Sequence, residues 1–353
     1  MRHQITVSIV MACRNEIRHI QEVIASLEAQ TFGDMSWEAL IADGMSTDGT
    51  REYLDQVSAT SAHIRVITNP GRIVSTGLNA AIREARGEFV IRMDAHTTYA
   101  PDYCHRSIEV LLETGADNVG GAARTTARGR MSRAISAAYH SRFSTGGAPF
   151  HQPDYEGWAD TVPYGCWRRE TLIRLGLFDE QLVRNQDDEL NLRLLRAGGR
   201  IWQSPQIQSW YSPRPSLSAL FKQYSQYGFW KVLVIRKHRL PGSIRHLVPV
   251  LFVVANTVIP AVAGFSTLAD WHNAAGAALA AWLLMIAAYG LLTLLASIDA
   301  ASKHGWDLLP YLPASFATFH FSYGLGFAAG LIGTARKQGP GSSHDHYFAR
   351  ITR

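Results

Sequence analysis

Four acidic positions in this chain fall where apolar runs or helical patterns begin or end. Carboxylates placed there can hold a cation or accept a proton. The sharpest is in Phe89-Val90-Ile91-Arg92-Met93-Asp94-Ala95-His96-Thr97, where a short apolar run that reads as a buried strand ends in a carboxylate, a spacer and an imidazole. Both donor types bind divalent metals, and a metal there could hold a diphosphate. A polar histidine in a surface turn is the competing account of His96. Glu16 follows a first strand-like run, Asp43 a second, and Asp187-Asp188-Glu189 opens a later helical pattern. Ligands of open α/β sheets collect beyond the carboxyl ends of strands, so Glu16, Asp43 and Asp94 can converge on one crevice. The later triplet has a structural account for two of its three acids. Acids in a first turn suit the helix dipole, Asn185 can cap, and Glu189 stands four residues before Arg193. Asp43-Gly44 also suits a simple turn.

The elements that must position these groups alternate in type. Strand-like runs cover Ile5 to Met11, Trp37 to Ala42, Ile64 to Ile67, Phe89 to Met93 and Asn118 to Gly121. Helical spacing covers Ile17 to Gln30, a short stretch to Val57, Val74 to Arg86 closed by Gly87, and Tyr103 to Glu113. This βαβ order predicts an α/β fold, a mostly parallel sheet with helices on both faces. Arg124 to Pro163 is weakly patterned, with one helix expected around Met131 to Ser141. A helix from Asp187 to Ala197 and an extended stretch from Ile201 to Trp210 follow, and Pro213-Arg214-Pro215 marks a boundary.

Beyond that boundary the composition changes. The chain of 353 residues is 47% hydrophobic and 18% charged, below the usual share of about 25%, and the deficit lies at one end. From Leu247 to Gly333 the charged residues are Asp270, Asp299, Lys303 and Asp307 alone. Apolar spans are expected at Leu247 to Phe265, Ala274 to Ser297 and Leu309 to Gly333, the middle one clearest by length. The first carries Pro249 and Pro260, so a kinked or re-entrant segment is also open. Ser216 to Arg239 mixes aromatics with cations, as a helix at a membrane interface does; an ordinary docking helix is the alternative. The net charge is +5, and the one dense basic cluster, Arg236-Lys237-His238-Arg239 with Arg245 and His246, lies beside the first span. That position favours anionic lipid and a cytoplasmic flank over nucleic acid. Three crossings would then put the basic tail outside, against the same rule. Three scattered cysteines make neither a disulfide framework nor a metal motif, and suit a reducing compartment. Neither Gly-x-Gly-x-x-Gly after the first strand nor Gly-x-x-x-x-Gly-Lys occurs, which removes most support for dinucleotide-binding and P-loop enzymes.

Val7-Ser8-Ile9-Val10-Met11-Ala12-Cys13-Arg14-Asn15-Glu16, then Ala42-Asp43-Gly44 with Ser46-Thr47-Asp48-Gly49-Thr50, resembles the opening of family 2 glycosyltransferases. Asn69-Pro70-Gly71-Arg72 through Asn79, then Gly87-Glu88-Phe89 to Asp94, continues the pattern in order across roughly two thirds of the chain. Asp94-Ala95-His96, Asn185-Gln186-Asp187-Asp188-Glu189-Leu190 and His320-Phe321-Ser322-Tyr323-Gly324 point to membrane-attached bacterial enzymes that extend lipid-linked exopolysaccharide repeats, of succinoglycan glucosyltransferase type.

The resemblance implies a GT-A catalytic domain over 1–215, amphipathic interface helices over 216–246, a membrane region over 247–334 and a basic tail over 335–353. It implies a UDP-sugar donor, UDP-glucose first, and a polyprenyl-diphosphate-linked acceptor, at the bacterial inner membrane with the catalytic domain facing the cytoplasm. Ala12, Glu16, Asp43, Arg72 and Asp94 would bind the donor, though Arg72 could equally be a solvated loop charge. Asp94 and His96 stand where the family carries Asp-x-Asp, and would hold Mn²⁺ or Mg²⁺. Asp187 would be the general base, with Gln186 in place of the family's preceding Glu. Tyr227 and Trp230 are candidate acceptor contacts, which interface anchoring explains almost as well. Gln226-Tyr227-Gly228-Phe229-Trp230 departs from the Gln-x-x-Arg-Trp of processive synthases, so addition of one sugar is favoured. A processive synthase and a membrane-tethered, non-catalytic sugar-nucleotide scaffold are the alternatives.

Overall fold

The computed structural model describes residues 6–335, and the basic tail lies outside them. The described chain forms two compact units. One takes residues up to 126 and 148–212; the other takes 127–147 and the chain from 213 on.

The first unit begins β1 (Val7–Cys13), α1 (Ile20–Glu28), β2 (Trp37–Asp43), α2 (Thr50–Thr60), β3 (Ile64–Thr68), α3 (Val74–Glu84), β4 (Phe89–Arg92), β5 (Thr97–Tyr99), α4 (Tyr103–Thr114), β6 (Asn118–Gly120) and β7 (Ala123–Thr125). After α5 (Arg130–His140) and α6 (Arg142–Thr145), which belong to the second unit, it resumes with β8 (Gly157–Trp158), β9 (Cys166–Arg168), α7 (Arg169–Leu175), α8 (Gln186–Arg196), β10 (Ile201–Gln203) and β11 (Ser209–Tyr211). Eight strands run in the order β3-β2-β1-β4-β9-β6-β10-β8. β3, β2, β1 and β4 are parallel, as are β6 and β10, whereas β9 runs antiparallel between β4 and β6. The small sheet β5-β11-β7 stands beside it.

Apolar runs form central strands here because both faces are covered. Val7, Ile9 and Met11 face Ile20, Ile24 and Leu27 of α1 and Leu111 of α4. Val10, Leu40 and Ala42 face Leu78 and Ile82 of α3 and Leu190 and Leu194 of α8. Each of the larger aliphatic side chains contributes about 1.5–3 kcal/mol on burial. Cys13 pairs with Asp43 and Val10 with Arg92, so the loops after β1, β2 and β4 open at one end of the sheet.

Three expectations change. The stretch from Ile201 to Trp210 is two strands in two different sheets. α1 starts three residues later than its spacing suggests, because the backbone of 15–17 is tied to the loop after β2. Gly87 does not cap α3, which stops at Glu84; a Cβ there would lie 2.6 Å from the Ser8 amide nitrogen, so glycine serves close backbone approach.

The second unit contains α5, α6, α9 (Leu217–His238), α10 (Val248–Leu268), α11 (His272–His304) and α12 (Leu312–Ala335). Residues 127–147, read from sequence as part of the 1–215 domain, thus pack with these helices. Arg133 on α5 pairs with Asp307 at 2.9 Å and donates to the His304 carbonyl. Among the described residues two helical stretches, Ile244–Leu268 and His272–His304, are long and apolar enough to cross a membrane. α10 runs as one helix through Pro260. The third expected span does not join them. α12 buries Ser315, His320 and Ser322 and packs on α9, where a Cβ on Gly326 would fall 2.0 Å from the Ser225 carbonyl oxygen. α9 packs on α12 with Phe229, Trp230 and Val232 buried.

Candidate active site

Arg92 ends β4 and organises the crevice, although the sequence reading gave it no role. Its side chain is only 4% exposed. Nε and Nη2 donate to the two oxygens of Asp94 at 2.9 and 3.2 Å, a fork-to-fork pair. Nη1 lies 3.2 Å from Asp187 Oδ2, a charge contact without hydrogen-bond alignment. One buried guanidinium therefore joins the carboxylate after β4 to the one opening α8. Burial alone would weaken its charge, but Asp94 and Asp187 more than reverse that and raise its pKa.

Tyrosines frame this pair. Tyr99 accepts the Asp94 amide proton at 2.6 Å, and the Tyr164 hydroxyl bonds Thr97 Oγ1 at 2.9 Å. Tyr164 also sets its ring 5.9 Å from the Arg92 guanidinium. Asp187 stays 31% exposed, while its neighbour Glu189 is fully buried in an ion pair with Arg193 at 2.8 Å. The first turn of α8 thus divides its acids, one for structure and one facing the crevice. Its N-cap Asn185 has a left-handed backbone, with no side-chain cap bond.

The loops after β1 and β2 are laced together. Asn15 N–H donates to Ser46 Oγ, Glu16 N–H to Thr50 Oγ1, and Ile17 N–H to Asp48 Oδ2. That network holds Glu16 so that its carboxylate lies 3.9 Å from His96 Nδ1. Burial, then the charges of Asp94 and Asp48, push the Glu16 carboxyl up to about 7. A folded-state pKa above the unfolded value favours the protonated fold, so this stability is present below about pH 4.5 and lost as pH rises through about 7. In donor-free protein with EDTA, Glu16→Gln is expected to gain thermal stability relative to wild type between pH 5 and 8. A constant difference across that range would remove the shift.

The other expected residues fall less centrally. Asp43 is buried, and both its oxygens take the Ser46 amide at 3.2–3.3 Å, so here it shapes the 44–49 loop. Ala12 packs beneath α3 against Gly77. Arg72 is exposed in the turn after β3, its N–H on the Asn69 carbonyl. Tyr227, half-buried, and Trp230, 4% exposed, lie on α9 in the second unit; burial leaves Trp230 no open face for an acceptor.

Among the described residues no group of three or more His, Cys, Asp or Glu side chains forms a metal cage. Asp94 and His96 carry donor types that could hold a cation together. Each Asp94 oxygen accepts one bond from Arg92 and keeps a lone pair, and His96 is 54% exposed. Two protein donors leave the remaining coordination positions to a ligand's oxygens and water.

Residues 8–168 match the family described as Glycosyl transferase family 2. Succinoglycan biosynthesis protein ExoA of Rhizobium meliloti (strain 1021) is 36% identical over 243 residues, 68% of this chain and 73% of that protein. A Methanococcus voltae protein is 27% identical over 336 residues, 92% of this chain and 97% of its own. It is named dolichyl N-acetyl-alpha-D-glucosaminyl phosphate 3-beta-D-2,3-diacetamido-2,3-dideoxy-beta-D-glucuronosyltransferase. Among solved structures, mannosyltransferase PcManGT from Pyrobaculum calidifontis, in complex with GDP-Man and Mn²⁺, aligns with a TM-score of 0.55 at 19% identity. That alignment covers 90% of this chain and 88% of that one, and it shows a shared GT-A-like fold.

Proposed function

Because this chain belongs to glycosyl transferase family 2, we propose that it moves one sugar, with inversion, from a UDP-sugar to a polyprenyl-diphosphate-linked saccharide. UDP-glucose is the first donor to test, and exopolysaccharide synthesis is the setting. The observation that supports the reading is Arg92 spanning Asp94 and Asp187, the two carboxylates proposed to lie at the diphosphate and to accept the proton. The Rhizobium relative is named for succinoglycan biosynthesis. The Methanococcus relative is named for a dolichyl-linked acceptor and a β-linked transferred residue. The second name supports a lipid-linked acceptor here, and the first supports the exopolysaccharide setting.

In the proposed step the acceptor hydroxyl oxygen forms a bond to the anomeric carbon as the bond from that carbon to the diphosphate breaks. The bonding pair leaves on the diphosphate, and the hydroxyl proton passes to Asp187. A positioned base is needed because a sugar hydroxyl is a poor nucleophile. Glu16 and the loop shaped by Asp43 face the nucleoside, with Ala12 and Arg72 at its margin. Asp94 and His96 would hold a divalent cation, Mn²⁺ or Mg²⁺, whose chemistry when bound is to offset charge on the departing diphosphate. Imidazole suits Mn²⁺ better than Mg²⁺. His96→Asp is expected to shift relative activity toward Mg²⁺, and an unchanged Mg²⁺/Mn²⁺ ratio would remove His96 from the site.

α10 and α11 form a hairpin that crosses the bacterial inner membrane twice, with the catalytic unit in the cytoplasm. At about 1.5 Å per residue, the 21 residues of α10 reach roughly 30 Å, the thickness of the hydrocarbon core. Two crossings return the chain to the side of Arg236 to Arg239, which removes the conflict that three crossings create with the basic tail.

The direct test is a panel of radiolabelled UDP- and GDP-sugars, with and without extracted lipid acceptor. Label should pass from one UDP-sugar into lipid. Transfer from a GDP-sugar would replace the donor, and no transfer or hydrolysis from any donor would favour a binding scaffold.

A further inference from the structure

Tyr164 is one of the few non-glycine residues of this chain with a left-handed backbone, at φ 60°. Bulky residues occupy that region only where their surroundings over-determine it. The surroundings of Tyr164 reach both halves of the catalytic crevice. Toward the donor side, its hydroxyl bonds Thr97 Oγ1, and its ring meets the edge of Tyr99, whose hydroxyl takes the Asp94 amide. Its ring also lies within cation–π range of Arg92, and the next residue, Gly165, accepts the Arg92 backbone N–H at 3.0 Å. Toward α8, the same loop is held by Asn191, whose Nδ2 donates to Thr161 Oγ1 at 2.8 Å and to the Val162 carbonyl at 3.2 Å. Asn191 stands one helical turn after Asp187 on one face of α8, and is itself fixed by Asn118 of β6 at 2.8 Å.

We infer that Tyr164 is a positioning residue for transfer: the loop 161–165 holds the helix bearing Asp187 at a set distance from Asp94, and the Tyr164 ring seats the guanidinium between them. The inference rests on the reading of Asp187 as the base. Tyr164 acts through Arg92, so its loss changes turnover rather than donor affinity. A misplacement of about 1 Å at a reacting pair can cost on the order of 100-fold.

The test uses the full chain purified in detergent, with Tyr164→Phe, Tyr164→Gly and Tyr164→Leu. Glycine accepts the backbone without strain but deletes the ring; leucine keeps bulk without a π face. The Gly and Leu variants should lose about 10- to 100-fold in kcat, with donor KM and calorimetric UDP affinity within about threefold of wild type. Tyr164→Phe, which keeps the ring, should recover most of that turnover. Crystal structures of the same variants should show Arg92 detached from Asp187 while still paired with Asp94. Unchanged kcat in either Gly or Leu, a loss confined to donor KM, or Arg92 unmoved in the variant structures would each overturn the inference. If wild type transfers no sugar, or Asp187→Asn remains fully active, the functional reading fails by itself, and the Arg92 position in the variant structures still decides the role of Tyr164.

Discussion

Asp187→Asn is expected to lower kcat roughly 100- to 10,000-fold while the protein stays folded. The amide keeps the shape of the carboxylate and cannot accept the hydroxyl proton. Structure depends little on this charge. Asp187 is partly exposed, Asp188 and Glu189 also stand in the first turn of α8, and Glu189 carries the buried pair with Arg193. Removing one acid from a helix N-terminus costs about 0.3–1 kcal/mol. The donor complex should therefore form with near-normal affinity, with the loss confined to turnover. Retention of wild-type kcat by a folded variant would move the base elsewhere, with Asp188 the first residue to try.

Arg92→Met should be damaging in two separable ways. Stability should fall by about 3 kcal/mol, because the Asp94 carboxylate loses both charged donors in a poorly solvated place. Turnover should fall at least about 100-fold, since nothing then fixes Asp94 relative to Asp187. Arg92→Lys should not restore it, because an ammonium cannot make two parallel bonds to one carboxylate and also meet a second. The double variant Arg92→Met/Asp94→Asn separates the effects. With the unpaired charge gone it should regain much of the stability but none of the activity, a coupling that a melting curve and a transfer assay read independently. Full activity in Arg92→Lys would reduce the arginine to a source of positive charge.

Much of this was legible in the sequence, for identifiable reasons. β1, β2 and β4 are buried on both faces, so each shows as a mostly apolar run, and the acids that follow them had to fall at one edge. Arg92 gave a signal too, a charge inside the run from Phe89 to Met93. Its meaning depends on Asp187, 95 positions later, and periodicity carries no information about that pairing. The same limit hid the placement of α5. Its pattern correctly predicts a helix, but its partners on α11 and α12 lie more than 150 residues on, reached through contacts such as Arg133 with Asp307. α12 misled by composition, since its apolar length resembles a crossing while its Ser315, Ser322 and His320 are buried within the protein. There Tyr289 and the Phe143 carbonyl bond the two ring nitrogens of His320. Trp230 misled in the opposite way, because an aromatic on an amphipathic helix looks available until the helix packed against it is known.

The stereochemistry of the product tests the central claim most directly. Purified wild-type protein, a single α-linked UDP-sugar donor identified from the panel and extracted lipid acceptor would give a labelled saccharide for release and NMR. A single displacement with Asp187 removing the proton predicts a β-anomeric linkage. An α-linkage would mean retention, and would contradict the roles assigned to Arg92, Asp94 and Asp187.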